Sequence, residues 1–441
     1  MAVDGVVVAG GSLAGLFAAL VFAESGAAVT VVERDRLPDG PEFRGGVPQR
    51  RHAHLLFEGG LTAFEELLPG IIDELRAAGA VEVGLPGDLE WLTPLGTVPR
   101  RPSRRTMLSC TRPLLDWTVR RRVLAHDRIS LIQGAEAVGL EVAGRSVRGL
   151  RLREERQERT LAASVVVDAT GRGSRAPRWL TEAGCRAPAE ERVDAGVAYA
   201  TGLFRRPDVA GQDVPGIYVQ TSTQGSPRFG IALRVQQDRW IVALGGMRGE
   251  EPPTDPAEFV DFAAGLRSPR LHEVLTTAVP DSPLHGFRPG ASRRRHFHRL
   301  RDRPAGFLVV GDAGCTFNPV YGQGMTVAAR GALALRRVLA LRGPSAALGT
   351  GIQRAVAREA DVAWSMGESE DLRFPATDGR RRSPLLRLQH GYLDRVLRAA
   401  TADRATADAF IDVLSLCAPP TRLFTPPVLR AVLRSGRPAP E

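Results

Sequence analysis

A chain of 441 residues with 43% apolar content is too long for one ordinary core and fits two or three globular domains. Its net charge of +10 rests on arginine alone, since all 59 basic residues are Arg and none is Lys. Aromatics are only 6%, and no stacking module accompanies the basic runs Arg100–Arg105, Arg293–Arg303 and Arg380–Arg382. These runs read as a solvated arginine face, and no nucleic-acid partner is expected. No apolar run reaches the ~18 residues of a membrane span. The nearest, Val6–Phe22, is broken by Gly10, Gly11, Ser12 and Gly15 and lacks a basic flank, so neither a signal peptide nor an anchor is expected, and the location implied is cytoplasmic. Cys110, Cys185, Cys315 and Cys417 form no CxxC pair, so neither a disulfide framework nor a metal site is expected.

In chain order, Val3–Ala9 reads as a strand, Gly10-Gly11-Ser12-Leu13-Ala14-Gly15 as a turn, and Leu16–Glu24 as a helix. Ala28–Val32 is a second strand closing on Glu33. Glycines in the turn allow a pyrophosphate to approach the helix N-terminus, and an acid ~20 residues on can accept from a ribose hydroxyl. Ser12 replaces the middle glycine of that fingerprint. Arg44–His54 reads as a loop feeding a helix near Glu58–Leu68. Arg44 is placed to neutralise a pyrophosphate, and the alternating His52 and His54 suit ring packing or hydrogen bonding better than metal ligation. Arg112 stands beside a helix N-terminus marked by Pro113. Ile129–Gln133, Gly139–Val142 and Gly149–Arg153 read as a small sheet. Val165–Asp168 is a buried strand leading into a second glycine-bearing turn, Ala169–Ser174. From Val193 to Met247 the pattern is that of an antiparallel sheet, followed by helices at Pro256–Leu266 and Leu271–Val279. Gly306–Val310 is another buried strand, running into Gly311–Met325 and a helix over Thr326–Leu341. There a carboxylate, Asp312, precedes two glycines, Gly322 and Gly324, which leave helix N–H groups free for a ligand. Gly351–Leu433 reads as helical.

Three segments, GGSLAG with Glu33, VVVDATGRGS and GDAGCTFNPVYGQGM, together resemble the flavoprotein monooxygenases of the para-hydroxybenzoate-hydroxylase-like fold over nearly the full length. RGGVPQRRHAHLL, VDAGVAYATGLF and NPVYGQGM are most similar to bacterial flavin epoxidases of polyketide polyenes, including those of polyether precursors. The resemblance implies an α/β protein: a Rossmann-like, glutathione-reductase-type FAD-binding domain, an inserted antiparallel-sheet substrate domain and a C-terminal helical region. The implied boundaries are 1–85, 105–175 and 292–345 for the FAD domain, 86–104 and 176–291 for the substrate domain, and 346–441 for the helices.

Carried over residue by residue, Gly10, Ser12 and Gly15 meet the FAD pyrophosphate and Glu33 the adenosine ribose. Arg44 and Arg112 neutralise phosphate or contact the ribityl chain. Asp312 takes a ribityl hydroxyl, and Gly322, Gly324 and Met325 present N–H groups to the ring's pyrimidine end. Leu13, Ala14, Arg34, Gln49, Asp168, Gly171 and Pro319 complete the implied cofactor set. Tyr199, Phe204, Phe229 and Phe317 are candidates to line the substrate space. No catalytic residue is nominated, because epoxidation by a flavin hydroperoxide requires no protein nucleophile or acid–base pair. The implied substrate is a hydrophobic polyketide or terpenoid. The alternatives are aromatic hydroxylation and flavin-dependent reduction of isoprenoid double bonds. Thr170 stands where the hydroxylases of this fold carry an Asp tied to NAD(P)H, so the implied reductant is NAD(P)H, acting directly or through a separate flavin reductase. The halogenases of this fold depend on a lysine, which this chain lacks.

Overall fold

The computed structural model describes residues 5–46, 50–205, 214–223, 225–343, 345, 349, 351–380 and 383–435. Its centre is a five-stranded parallel sheet in the order Phe307–Val309, Val165–Asp168, Val6–Ala9, Val29–Glu33, Ile129–Gln133. The middle strands are valine runs buried on both faces, as a parallel sheet covered by helices requires. On one face lies Leu13–Glu24, whose side chains are apolar nearly all round. It is enclosed by the sheet, by Glu58–Leu67 and by the long helix Gly324–Arg342. Phe17 meets Phe64 edge to face at 4.9 Å, both fully buried, each contributing ~1.5–3 kcal/mol of burial.

Ile129–Gln133 does not join the small sheet expected from sequence. It follows the crossover helix Arg112–Leu124 and returns to the parallel sheet beside Val29–Glu33. The small sheet is instead Ala135–Ala143, Ser146–Glu154 and Gln157–Ala162, all antiparallel. A further three-stranded sheet, Leu55–Phe57, Arg105–Ser109 and Val81–Leu85, has no counterpart in the sequence reading.

The second layer is an eight-stranded sheet of Ala198–Arg205, Arg239–Gly246, Arg228–Val235 and Gly216–Val219, extended by Leu89–Thr93 and Gly96–Val98 and edged by Val279–Pro280 and His285–Phe287. It is antiparallel except where Gly216–Val219 pairs with Leu89–Thr93 in parallel. Alternation divides its side chains. Ala200, Phe204, Val242 and Leu244 pack under the helices Pro256–Ala264 and Arg270–Thr277. Tyr199, Phe229 and Met247 face the other way, toward Val320 and Phe374.

The arginine run at 293–295 is not a solvated face. Ser292–Arg295 is a strand, Arg293 and Arg295 pair with Glu190, and Arg294 pairs with Asp361. Arg295 is only 7% exposed. No helix among the described residues is long and apolar enough to cross a membrane.

Candidate active site at the strand ends

The parallel strands finish level. Ala9 is in register with Asp168 and Val32, and Asp168 with Val309. Gly10 N donates to Val32 O at 2.8 Å, Ala169 N to Ala9 O at 2.8 Å, and Val310 N to Asp168 O at 2.9 Å. The three turns and Glu33 therefore stand side by side along the carboxyl edge of one sheet. That edge is where open α/β sheets hold their ligands.

Close packing joins the turns. Gly10 has φ +108°, and a Cβ there would collide with the Ala169 carbonyl. A Cβ on Gly15 would overlap the Gly10 carbonyl oxygen, so the Leu13 helix starts hard against its own turn. Gly311, also at positive φ, sits directly on Ala14.

At the first turn Glu33 accepts from Gly11 N at 2.8 Å and from Arg44 Nη1 at 3.0 Å. Arg44 Nη2 donates to Ser12 Oγ at 2.6 Å. The Arg44 side chain is 6% exposed, with its Nε unpartnered among the described residues. A buried guanidinium thus bridges Glu33 and Ser12 at the start of a helix, the kind of terminus whose unpaired N–H groups suit an anion. Ser12 does not cap its own helix, so the first-turn donors of Leu13 and Ala14 lack a side-chain acceptor. Arg34 is mostly exposed and lies near Asp35 at 3.8 Å. Gln49 lies outside the described residues.

At the second turn the acid is held by its neighbours. Asp168 is fully buried, and its two oxygens accept from Thr170 N (2.9 Å), Thr170 Oγ1 (2.6 Å) and Ser174 Oγ (2.5 Å). Burial pushes its carboxyl up, and these bonds and Arg295 oppose the shift. Both Asp168 oxygens are thus engaged within the turn itself. Gly171 supplies the positive φ the turn needs. Arg172, which the sequence reading passed over, projects from the turn and donates to Ala291 O at 2.7 Å.

Asp312 lies in a single 3-10 turn just past Phe307–Val309 and is half-buried. Burial raises its carboxyl above the ordinary carboxylate range, while Arg172 and then Arg112 oppose that shift. Arg112 is anchored by Asp116 at 2.7 Å. No hydrogen bond to the Asp312 carboxylate is formed among the described residues, so its acceptor capacity is free for a ligand hydroxyl. Beyond it, Pro319–Tyr321 forms a tight turn and Gly322 takes φ +67°. The helix Gly324–Arg342 follows with no capping side chain and no acid in its first turn. Met325 is buried in the core, leaving its N–H as the group offered. Gln323 Oε1 and Thr326 Oγ1 are buried without partners among the described residues. No atom stands within 4 Å of the position a Gly324 Cβ would take. An uncapped helix terminus with room before it and a free carboxylate beside it fits a flavin: ring carbonyls to the N–H groups, ribityl hydroxyl to Asp312.

Of the four aromatics expected over that space, Tyr199 and Phe229 share the sheet face that reaches Val320. Phe204 does not. It lies five residues from Tyr199 on a strand of period two, so it points to the opposite face and stacks on Phe259 at 6.1 Å. Phe317 belongs to a different apolar cluster, with Val327, Ala363, Trp364 and Leu416. Phe287, Met247 and Phe374 stand beside Tyr199 and Phe229 instead. His52 closes one end: its Nδ1 pairs with Thr201 Oγ1 at 2.9 Å and its ring lies edge-on to Tyr199 at 4.7 Å. His54 Nδ1 pairs with the His52 carbonyl at 2.7 Å. Burial lowers His52 to about 4 and His54 to about 3, so both are neutral at pH 7. Period-two alternation was the signal available for Phe204. Nothing local marks Phe287 or Phe374.

Residues 5–273 match the family model of FAD dependent oxidoreductases. Protein Rv3254 of Mycobacterium tuberculosis (strain ATCC 25618 / H37Rv) is 33% identical over 429 residues, covering 94% of this chain and 90% of that protein. Among solved structures, PqsL, a probable FAD-dependent monooxygenase from Pseudomonas aeruginosa, superposes with TM-score 0.64 at 19% identity over 85% of this chain and 97% of its own. The p-nitrophenol 4-monooxygenase PnpA from Pseudomonas putida DLL-E4 gives 0.65 at 16% identity, covering 94% and 98%. The flavin-dependent brominase Bmp2 gives 0.68 at 14%, covering 97% and 98%. At these identities the structures attest the fold alone.

Proposed function

We propose, for a chain that belongs to the FAD-dependent oxidoreductase family, that it is a flavin-dependent monooxygenase whose best-fitting reaction is epoxidation of a polyketide polyene. The observation that carries this reading is the wall of Tyr199, Phe229, Met247, Phe287 and Phe374 set opposite Val320 of the flavin turn. Such a wall suits a flat, conjugated, hydrophobic substrate and keeps water from the reacting space. FAD, when bound, supplies the activation of dioxygen. The protein's own part is to bind and to orient. Glu33, Arg44 and the Ser12 N-cap hold the adenosine diphosphate end, and Asp312 holds the ribityl chain. The uncapped Gly324 helix accommodates negative charge at the ring's pyrimidine edge. His52, neutral and locked to Thr201, is a wall and not an acid.

Thr170 gives both its N–H and its hydroxyl to Asp168 and offers no carboxylate to a nicotinamide. This favours a separate flavin reductase as the electron source. The absence of lysine weighs against the halogenation that the brominase likeness would suggest. Aromatic hydroxylation uses the same wall and is separated from epoxidation by the product. The test is incubation with FAD, NADPH, a flavin reductase and a panel of polyenes and phenols under isotopically labelled dioxygen. A product bearing one labelled oxygen is expected. Unlabelled, saturated product would overturn the reading in favour of a reductase.

A further inference from the structure

One buried carboxyl near the flavin turn has no part in the chemistry above. Asp371 ends the helix Asp361–Asp371 and is 1% exposed. Its Oδ1 accepts from Asn318 Nδ2 at 2.8 Å and from Tyr321 Oη at 2.7 Å. Those two residues bracket the Pro319–Tyr321 turn that delivers the chain to Gly322. Asn318 is used at both ends, since its Oδ1 also accepts from Val320 N at 3.2 Å and so closes the turn. The Tyr321 ring seats on Gly367, where a Cβ would stand 3.2 Å from Cδ2.

The far side of the same turn is tied to the C-terminal region as well. Gln323 Nε2 donates to Leu414 O at 2.8 Å, and Arg330 Nη1 to Leu416 O at 3.0 Å. Leu416 is held at φ +55°, a left-handed conformation that side-chain-bearing residues rarely adopt. The two flanks of Gly322 are therefore clamped by two segments far away in sequence, Asp371 on one side and Leu414–Leu416 on the other. Asp371 is also expensive. Burial pushes it up to about 6, chiefly against the bonds from Tyr321 and Asn318. A costly buried acid makes sense where it fixes geometry.

We infer that Asp371 is a positioning residue for the cofactor: from the C-terminal helices it holds the Asn318–Gly322 turn so that the Gly324 helix terminus stays open to the flavin ring. This rests on the FAD assignment made above. The test is equilibrium FAD titration of the apoprotein by fluorescence quenching, with far-UV circular dichroism to establish that each variant is folded. Asp371→Asn keeps an acceptor oxygen in place and should bind FAD within about threefold of wild type. Asp371→Leu leaves the buried Asn318 donor and the part-buried Tyr321 hydroxyl unpaired and should weaken FAD at least about tenfold. Tyr321→Phe removes one donor without disturbing the backbone and should lie between them, which keeps the test open if the leucine variant does not fold. Rescue by Asn distinguishes positioning from general loss of packing. A folded Asp371→Leu or Tyr321→Phe protein with wild-type affinity would overturn the inference, as would an Asn variant as weak as the Leu variant. Wild-type protein that takes up no FAD would instead sink the cofactor assignment, and the inference with it.

Discussion

Replacing Gly324 by alanine should separate cofactor binding from folding, because the two should respond in opposite directions. Gly324 is the first residue of its helix and is not at positive φ. No atom lies within 4 Å of the methyl's position, so the apoprotein has room for it. Alanine in a helix interior is worth ~1 kcal/mol over glycine, and at a first turn about half of that. The apoprotein should therefore melt at or slightly above the wild-type temperature. The same methyl projects in front of the uncapped terminus, where the flavin ring must come within hydrogen-bond reach of the N–H groups. Displacing the ring enough to lose two such bonds, at ~1 kcal/mol each, predicts about 30-fold weaker FAD binding. Calorimetry of the apoprotein and fluorescence titration with FAD give the two quantities. Wild-type FAD affinity in Gly324→Ala would refute the placement of the ring at this terminus.

Gly15→Ala should behave differently, since its Cβ would overlap the Gly10 carbonyl; we expect apoprotein stability to fall by more than ~2 kcal/mol in chemical denaturation. Asp312→Ala should weaken FAD by ~1.5–3 kcal/mol, the worth of a hydrogen bond to a charged group, in a folded protein; unchanged affinity would contradict the ribityl role. The depressed histidines make the fold acid-sensitive. Between pH 6.5 and about 4 the unfolded chain binds a proton at residue 52 that the folded chain refuses, so stability is complete above that window and falls as pH falls through it. The shift from 6.5 to about 4 corresponds to a contribution on the order of 3 kcal/mol. Denaturation across that range should show a shallower acid limb for His52→Gln. Finally, anaerobic reduction of bound flavin by NADPH alone should be slow and should accelerate with an added flavin reductase, as stopped-flow absorbance at the flavin band would reveal.

The parts of the site that lie at strand ends were legible because each couples a hydrophobic run to a local break. Val6–Ala9 into Gly10, Val165–Asp168 into Gly171 and Phe307–Val309 into Asp312 are short-range patterns, and parallel strands must bring such ends together. A carboxylate at a strand end, such as Asp168, looks the same in sequence whether it faces a ligand or its own turn. Only the folded chain shows the hydroxyls of Thr170 and Ser174 taking up its oxygens. Phe204 was misjudged by ignoring the two-residue period of its strand. Asp371 carried no local signal at all. Its meaning comes from Asn318 and Tyr321, about fifty positions earlier, and from packing that no periodicity encodes. The arginine run at 293–295 likewise looked like surface until Glu190 and Asp361 were seen to neutralise it.

In the proposed enzyme one FAD lies across four adjacent strand ends and serves oxygen transfer to a substrate held against the Tyr199–Phe287 wall. The most direct measurement is mass analysis of the product when the protein, loaded with FAD and reduced, is mixed with labelled dioxygen and a conjugated polyene. The expected product is heavier by a single labelled oxygen atom and forms only when FAD is present. A polyene returned with a double bond saturated and no label would contradict this reading.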